Sequence, residues 1–350
     1  MMAPPMGIHR LTATEFATAL AGPEPADALS DPKGSVVVVA LDDRPPADVA
    51  LPPLALATLP AVVVGASAPA NPARADLVGL VDVVVPPDGD ELDATIDAVT
   101  ANPLAAVALA LVLRGSETRS VAEGLQLESA VYGTLQAGPE FAAWRATNPV
   151  HPPRPEAGPA VAVHRRGDRL ELVLNRPSIR NALDARMRDE LVAGLAIAAG
   201  DPTVAEVRLR GAGPAFCAGG DLDEFGSRPD VATAHVVRMS RSPARAMAGV
   251  ADRVVAFLHG SCFGSGIELP AFAARVVARP DTVIGLPEVS LGLIPGAGGT
   301  VSLPRRIGRH RTAWLALTGR TIDAATARAW GLVDEIELRS AVGGRPTRGA

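Results

Sequence analysis

Lysine is nearly missing from this chain: of its 33 basic residues, all but Lys33 are arginine. Aromatic residues make up 3%, against 34 Gly and 32 Pro, so the composition is biased as a whole and points to no particular function. Cysteine is scarce too. Cys217 and Cys262 are too few for a disulfide framework and lack metal-ligand spacing, which predicts two small buried side chains and no metal site. No run of about 18 apolar residues occurs. The opening "MMAPPMGIHRLTATEF" has neither the basic nor the apolar segment of a secretion signal, so a soluble, cytoplasmic protein with no membrane partner is expected. Phosphate-cradling patterns are absent, both GxxxxGKS/T and GxGxxG directly after a strand. No basic run carries interleaved aromatics, so no nucleic-acid partner is expected.

What is present fits two globular units. A chain of 350 residues, 48% of them hydrophobic, can fill two cores. Charge divides along it: residues 1–155 hold 8 Lys+Arg against 18 Asp+Glu, net -10, and residues 156–350 hold 25 against 20, net +5. The basic second half suits a polyanionic ligand. Between the halves, "ATNPVHPPRPEAGPA" (146–160) packs five prolines and a glycine, which reads as a linker with its boundary near residue 155.

Before that linker, "SVVVVALDD", "PAVVVGAS", "LVDVVVPP" and "AAVALALVLRG" read as short strands, with "ELDATIDAVT" a helix between the third and fourth. The stretch from 116 to 147 spaces Val121, Leu125, Leu127, Val131 and Leu135 along one helical face, which predicts a long docking helix. After the linker, "AVAVHRRGDRLELVLN" reads as two strands around a turn. "ALDARMRDELVAGLAIAAG" then reads as a helix with Leu183, Met187, Leu191 and Leu195 in register and Gly200 as its stop. Twice more a strand, "TVAEVRLRG" and "RVVAFLHG", runs into glycines and on toward an expected helix: "AGPAFCAGGDLDEFG" and "SCFGSGIELPAFAARVVA". Amides left free at such starts stabilise negative charge, and two loops facing each other can hold one oxyanion.

The stretch "GLPEVSLGLIPGAGGT" places Glu288 after an apolar run and before a third glycine loop. Burying a carboxylate there is costly. Glu288 is either paired with a nearby arginine, Arg305 or Arg306, or it does chemistry with the other isolated acid, Glu268.

The segments "LNRPSIRNALDARMRDEL", "GAGPAFCAGGDLDEF", "HGSCFGSGIEL", "GLPEVSLGLIPGAGGTVSLPRRIG" and "LTGRTIDAATARAWGLVDEI" occur in an order and spacing that resemble the crotonase (enoyl-CoA hydratase/isomerase) superfamily over residues 159–337. The resemblance implies an α/β protein with a crotonase-like repeated ββα spiral at 156–337. Ahead of it would lie an additional N-terminal α/β domain, 1–150, and after it a polar tail, 338–350. It implies an oxyanion hole from the amides of Gly220 and Ser265, and Glu268 and Glu288 as the acids that hold a water and move its protons. Substrate contacts would come from Arg180, Ala218 and Gly296, although Arg180 equally fits an ordinary surface arginine. Gly296 would leave an amide near the water and room for the acyl chain. The implied reaction is hydration of a 2-enoyl-CoA, with isomerisation of an enoyl-CoA, or a non-catalytic binding subunit, as alternatives. The ligand would be an acyl-CoA, with no separate cofactor because coenzyme A is part of the substrate, and the assembly a homo-oligomer, trimer or hexamer.

Three departures from the family pattern stand out. Ala274 replaces an aspartate usual there, Pro270 intrudes early in the helix after Glu268, and Ser265 stands where glycine is commonest. The family core is normally followed by helices that cap the acyl-CoA site, whereas only "ELRSAVGGRPTRGA" follows "GLVDEI" here. Residues 115–148 resemble those helices, which implies that the N-terminal half is either a degenerate crotonase-like unit covering the second unit's site or an unrelated α/β partner.

Overall fold

The structure is a computed structural model that describes residues 7–31, 35–41, 53–68, 75–87, 89–152, 157–227 and 230–337. The linker boundary near residue 155 and the polar tail after residue 337 lie outside the described residues.

Strands β1 (Gly7–Thr12), β2 (Ser35–Ala40), β3 (Val62–Ala66) and β4 (Val83–Val85) form one parallel sheet in that order. Valines explain why it is buried on both faces. Side chains alternate along a strand, and here Val36, Val38, Val62 and Val64 join the large core that runs through both halves of the chain, while Val37, Val39 and Val63 pack in a second cluster with Phe16 and Leu20. The run "AAVALALVLRG" is not a strand. It forms the helix Pro103–Arg114, because alanine and leucine favour helix, Pro103 suits a first helical turn, and 12 residues exceed a typical strand. The fourth strand comes instead from β1, "GIHRLT".

Arg114 locks the end of that helix. Its guanidinium pairs bidentately with buried Asp82 (2.8 and 2.7 Å) and donates to the carbonyls of Leu56, Leu59 and Ala61. The long segment that follows is two helices, not one. Ser120 and Glu123 make a capping box that starts Val121–Gln136, and Gly138 and Pro139 break the chain before Pro139–Thr147. Among the described residues no single helix is long and apolar enough to cross a membrane. The pair Asp90–Ala101 and Pro103–Arg114 passes only in combination, is bent by 106°, and packs against the core.

In the second half, β5 (Val161–Arg166) and β6 (Arg169–Leu174) form the expected antiparallel hairpin, and Ala185–Gly200 the expected helix, capped by Asp184. A six-stranded sheet then adds β7 (Glu206–Gly211), β8 (Val254–Leu258), β10 (Arg275–Ala278) and β13 (Glu335–Ile336). A three-stranded sheet holds β9 (Ser261–Phe263), β11 (Val283–Gly285) and β12 (Ile322–Asp323). Successive turns of chain repeat one plan. β8 and then β10 enter the large sheet, and β9 and β11, which follow them, enter the small one. After β7, Cys217 bridges to Cys262 on β9 in the same way. This spiral is the crotonase-like α/β fold, preceded by a separate α/β part, and it stacks the loops that follow the strands at one end.

The halves meet along Gly299–Thr318, two helical stretches joined at Gly308 (φ 78°). Arg309 donates to the carbonyls of Val81 and Gly79, and the Trp314 indole to Glu91 (2.7 Å).

Candidate active site

Asn181 sets the first loop. It is fully buried, and its amide donates to the carbonyls of Ala212, Ala215 and Phe216 while its Oδ1 accepts from Arg176 N–H. That anchors the chain between β7 and Gly220. Among the described residues the Gly220 amide donates no hydrogen bond, while its neighbours on either side are held by Leu183. The following segment is a single 3-10 turn, Leu222–Glu224, rather than the expected helix, because Gly226 (φ 76°) turns the chain away after it.

The second loop lies against the first. A Cβ on Gly264 (φ 49°) would run into the Glu288 carboxyl and lie 3.6 Å from Gly219 Cα, and one on Gly266 would overlap the Cys217 carbonyl. Only glycine permits this approach. The Ser265 amide also has no acceptor among the described residues. The expected helix here is four residues, Ser265–Glu268, and yields to a 3-10 turn at Pro270, which cannot donate to a continuing ladder. Ala274 N–H simply bonds the carbonyl of Ala251.

The third loop carries alternating amides. Ala297 and Gly299 donate to Glu268 Oε2, both at 2.8 Å. Gly298 and Thr300 donate to Glu128 (2.7 and 2.9 Å), and the Thr300 hydroxyl adds a bond of 2.7 Å. Two carboxyls, one from each half of the chain, thus cap the start of Gly299–Thr318. A Cβ on Gly296 would run into Tyr132 Cδ2, so the missing side chain makes room for the Tyr132 ring.

These loops and the helix Val121–Gln136 enclose a cavity of about 370 Å³ whose wall includes Gly220, Ser265, Glu268, Glu288 and Gly296. Arg180 and Ala218 lie outside that wall, joined to each other by a backbone bond of 2.9 Å, and Arg188, Arg238 and Arg241 are the arginines on it. Cys217 and Cys262 are free and buried.

Both acids are buried, and neither has an arginine partner among the described residues. Arg305 donates to the carbonyls of Val301 and Arg119, and Arg306 to those of Ala271 and Ala273, so the structural pairing weighed for Glu288 is not made. Glu288 Oε2 is buried and has no hydrogen bond among the described residues. Burial pushes the Glu288 carboxyl up to about 7. Burial, and then the neighbouring charges of Glu288 and Glu128, hold Glu268 well above the usual carboxylate range against the pull of its two amide bonds. At neutral pH such a cluster retains protons, which suits it to give one and take one.

The model of the enoyl-CoA hydratase/isomerase family matches residues 170–343. The chain belongs to this family. It is 36% identical over 175 residues to mevalonyl-coenzyme A hydratase SIDH of Beauveria bassiana, covering 48% of this chain and 62% of that protein. It is likewise 36% identical over 167 residues to the 2,3-dehydroadipyl-CoA hydratase of Escherichia coli, covering 48% and 65%. Among solved structures, the enoyl-CoA hydratase of Thermoplasma volcanium shares 36% identity over 51% of this chain and 72% of that one, with a TM-score of 0.47. This chain thus spans a little under two thirds of the length of the curated relatives it matches.

Glu128 and Tyr132 were missed in the sequence because they lie in the other half of the chain. Glu128 sits one turn after Gly124 on the helix face read as apolar, and a buried acid among Leu125, Val131 and Leu135 was the available signal.

Proposed function

We propose that this enoyl-CoA hydratase/isomerase family protein is a hydratase acting on a 2-enoyl-CoA thioester. The observation that carries this reading is the pair Glu268 and Glu288, two buried carboxyls that face one cavity and have no basic partner among the described residues, beside two amides that have no acceptor among them. In the reaction, a carboxylate takes a proton from water as its oxygen bonds C3. The electrons of the double bond move through C2 onto the thioester oxygen, where the Gly220 and Ser265 amides stabilise the enolate. A protonated carboxyl then delivers a proton to C2. No separate cofactor enters these steps. The basic groups Arg188, Arg238 and Arg241 suit the phosphates of coenzyme A. Residues 115–148 would serve as the cap over the acyl-CoA site, because the helix Val121–Gln136 lines the cavity.

The test is turnover on a panel of 2-enoyl-CoAs, followed by loss of the conjugated absorbance. Glu288→Gln should lower kcat about 10²- to 10⁴-fold, as loss of a general acid/base does, with the folded state intact. Normal turnover in this variant would end the hydratase assignment. Glu268→Gln should abolish hydration as well, and a variant that lost hydration but kept shifting a 3-enoyl-CoA to its 2-isomer would assign isomerisation instead.

A further inference from the structure

Glu128 comes from the half of the chain outside the family match, yet it is 2% exposed and sits on the same loop as Glu268. The loop is shared residue by residue: the amides of 297 and 299 turn to Glu268, those of 298 and 300 to Glu128. The four amides belong to one tight turn, with Gly298 left-handed (φ 100°) at the cap of Gly299–Thr318, so fixing one pair from Glu128 fixes where the other pair points. The helix that carries Glu128 is seated closely. A Cβ on Gly124 would lie 2.8 Å from Val301 Cγ2, and one on Gly133 would lie 3.1 Å from the Arg238 guanidinium. Arg238 in turn donates from Nε to Ser129 Oγ (3.0 Å) and covers the Tyr132 ring at 5.0 Å.

We infer that Glu128 is a positioning residue of this site: acting through the 297–300 loop it orients Glu268, and its carboxyl lines one cavity with those of Glu268 and Glu288. Arg238 from the helix Val231–Ser240 acts on Glu128, and Glu128 acts on Glu268 and Glu288 from the catalytic loops; beside it, Ser129 bonds His235, and Tyr132 of the same helix feels Glu268, Glu288, Arg238 and Arg145. Burial pushes Glu128 up to about 7, held back by its bonds to Thr300 and Gly298, and its charge is among the causes that raise both Glu268 and Glu288. Removing that charge should therefore let the pair release its protons at lower pH.

The experiment titrates the ligand-free protein with ¹³C-carboxyl-labelled glutamate by NMR, in wild type and Glu128→Gln, with Glu268→Gln and Glu288→Gln spectra for assignment. The titration midpoints of Glu268 and Glu288 should fall by about one pH unit in Glu128→Gln. Unmoved midpoints in a folded variant, whatever its stability, would reduce Glu128 to a structural residue and overturn the inference. If Glu128→Gln does not fold, Thr300→Val removes one donor to the Glu128 carboxylate and should move the same midpoints in the same direction, with no movement again overturning it. Turnover is a separate arm that rests on the hydratase reading, where kcat should fall about 10- to 100-fold with KM nearly unchanged. A shifted titration in a protein with no hydratase turnover at all would sink that reading and leave this one standing.

Discussion

The two large sheets of this protein are both mainly parallel, and they serve the site in opposite ways. In the first, β2 and β3 are runs of buried valine, and none of their residues lines the cavity. In the second, β6 alternates buried and partly exposed residues, and the chain after β7 and β9 turns through glycines that bring two amides to the cavity. Among the described residues, the first half reaches the cavity through the helix Val121–Gln136, with Glu128 and Tyr132 among the side chains it supplies. A strand-end loop supplies backbone donors, whereas a helix laid across the cavity supplies side chains.

The largest expected effect tests whether the halves are one folding unit. Arg114→Met leaves Asp82 buried without its bidentate partner and should cost about 3–5 kcal/mol in urea unfolding. Because one apolar cluster contains residues of both halves, the loss should appear in a single transition. Two transitions, with only the first shifted, would show the sheets to be independent.

Next in size is the contact between the halves at the glycine loop. Gly296→Ala drives a methyl into the Tyr132 ring and should destabilise by about 1–3 kcal/mol, as overpacking does. Tyr132→Leu should relieve much of that cost in the double variant. Purely additive losses would mean that the ring is not what Gly296 accommodates.

The pH dependence separates the two sets of acids more finely. Glu288 holds its proton up to about 7 in the folded state against 4.5 as its ordinary value. Its raised value favours the folded state fully below about pH 4.5, and that contribution is lost as pH rises through about 7. Asp201, on the surface, is pulled down to about 2 by the Thr203 hydroxyl and Arg165, so its contribution is lost at the acid end instead. Subtracting the Glu288→Gln stability profile from wild type, by thermal melts between pH 4 and 9, should leave a slope that falls with pH. A flat difference would mean that Glu288 titrates as an ordinary carboxylate.

The smallest effect is expected at Ser265. Its hydroxyl makes one hydrogen bond among the described residues, to Cys217 Sγ at 3.7 Å, and its amide survives in Ser265→Gly, so stability should change by about 0.5 kcal/mol or less and turnover hardly at all. A large loss of turnover would bring the hydroxyl into the reaction.

Much of the second half was legible because its signals are local. Leu170, Leu172 and Leu174 alternate as a strand with one buried face, Asp184 caps the helix that follows, and the glycines of "AFCAGGDL" mark a close approach. The errors were local ambiguities too. "AAVALALVLRG" is apolar throughout and has no periodicity to tell strand from helix, so length and Pro103 had to decide. The expected helices after Gly220 and Gly264 were shortened by Gly226 and Pro270, both visible in the sequence and underweighted there.

The sequence by itself determined most strands and helices of the second half, because each depends on residues within a few positions of one another, and short motifs carried the resemblance that implied the spiral and which acids and amides to watch. It could not determine that Arg305 and Arg306 bond backbone carbonyls and not Glu288, that Gly296 yields its space to Tyr132, or that Glu128 and Glu268 divide the amides of one loop. Those are contacts between residues up to 172 positions apart, formed only when two halves bury a common core, and no periodicity within a strand or a helix records them.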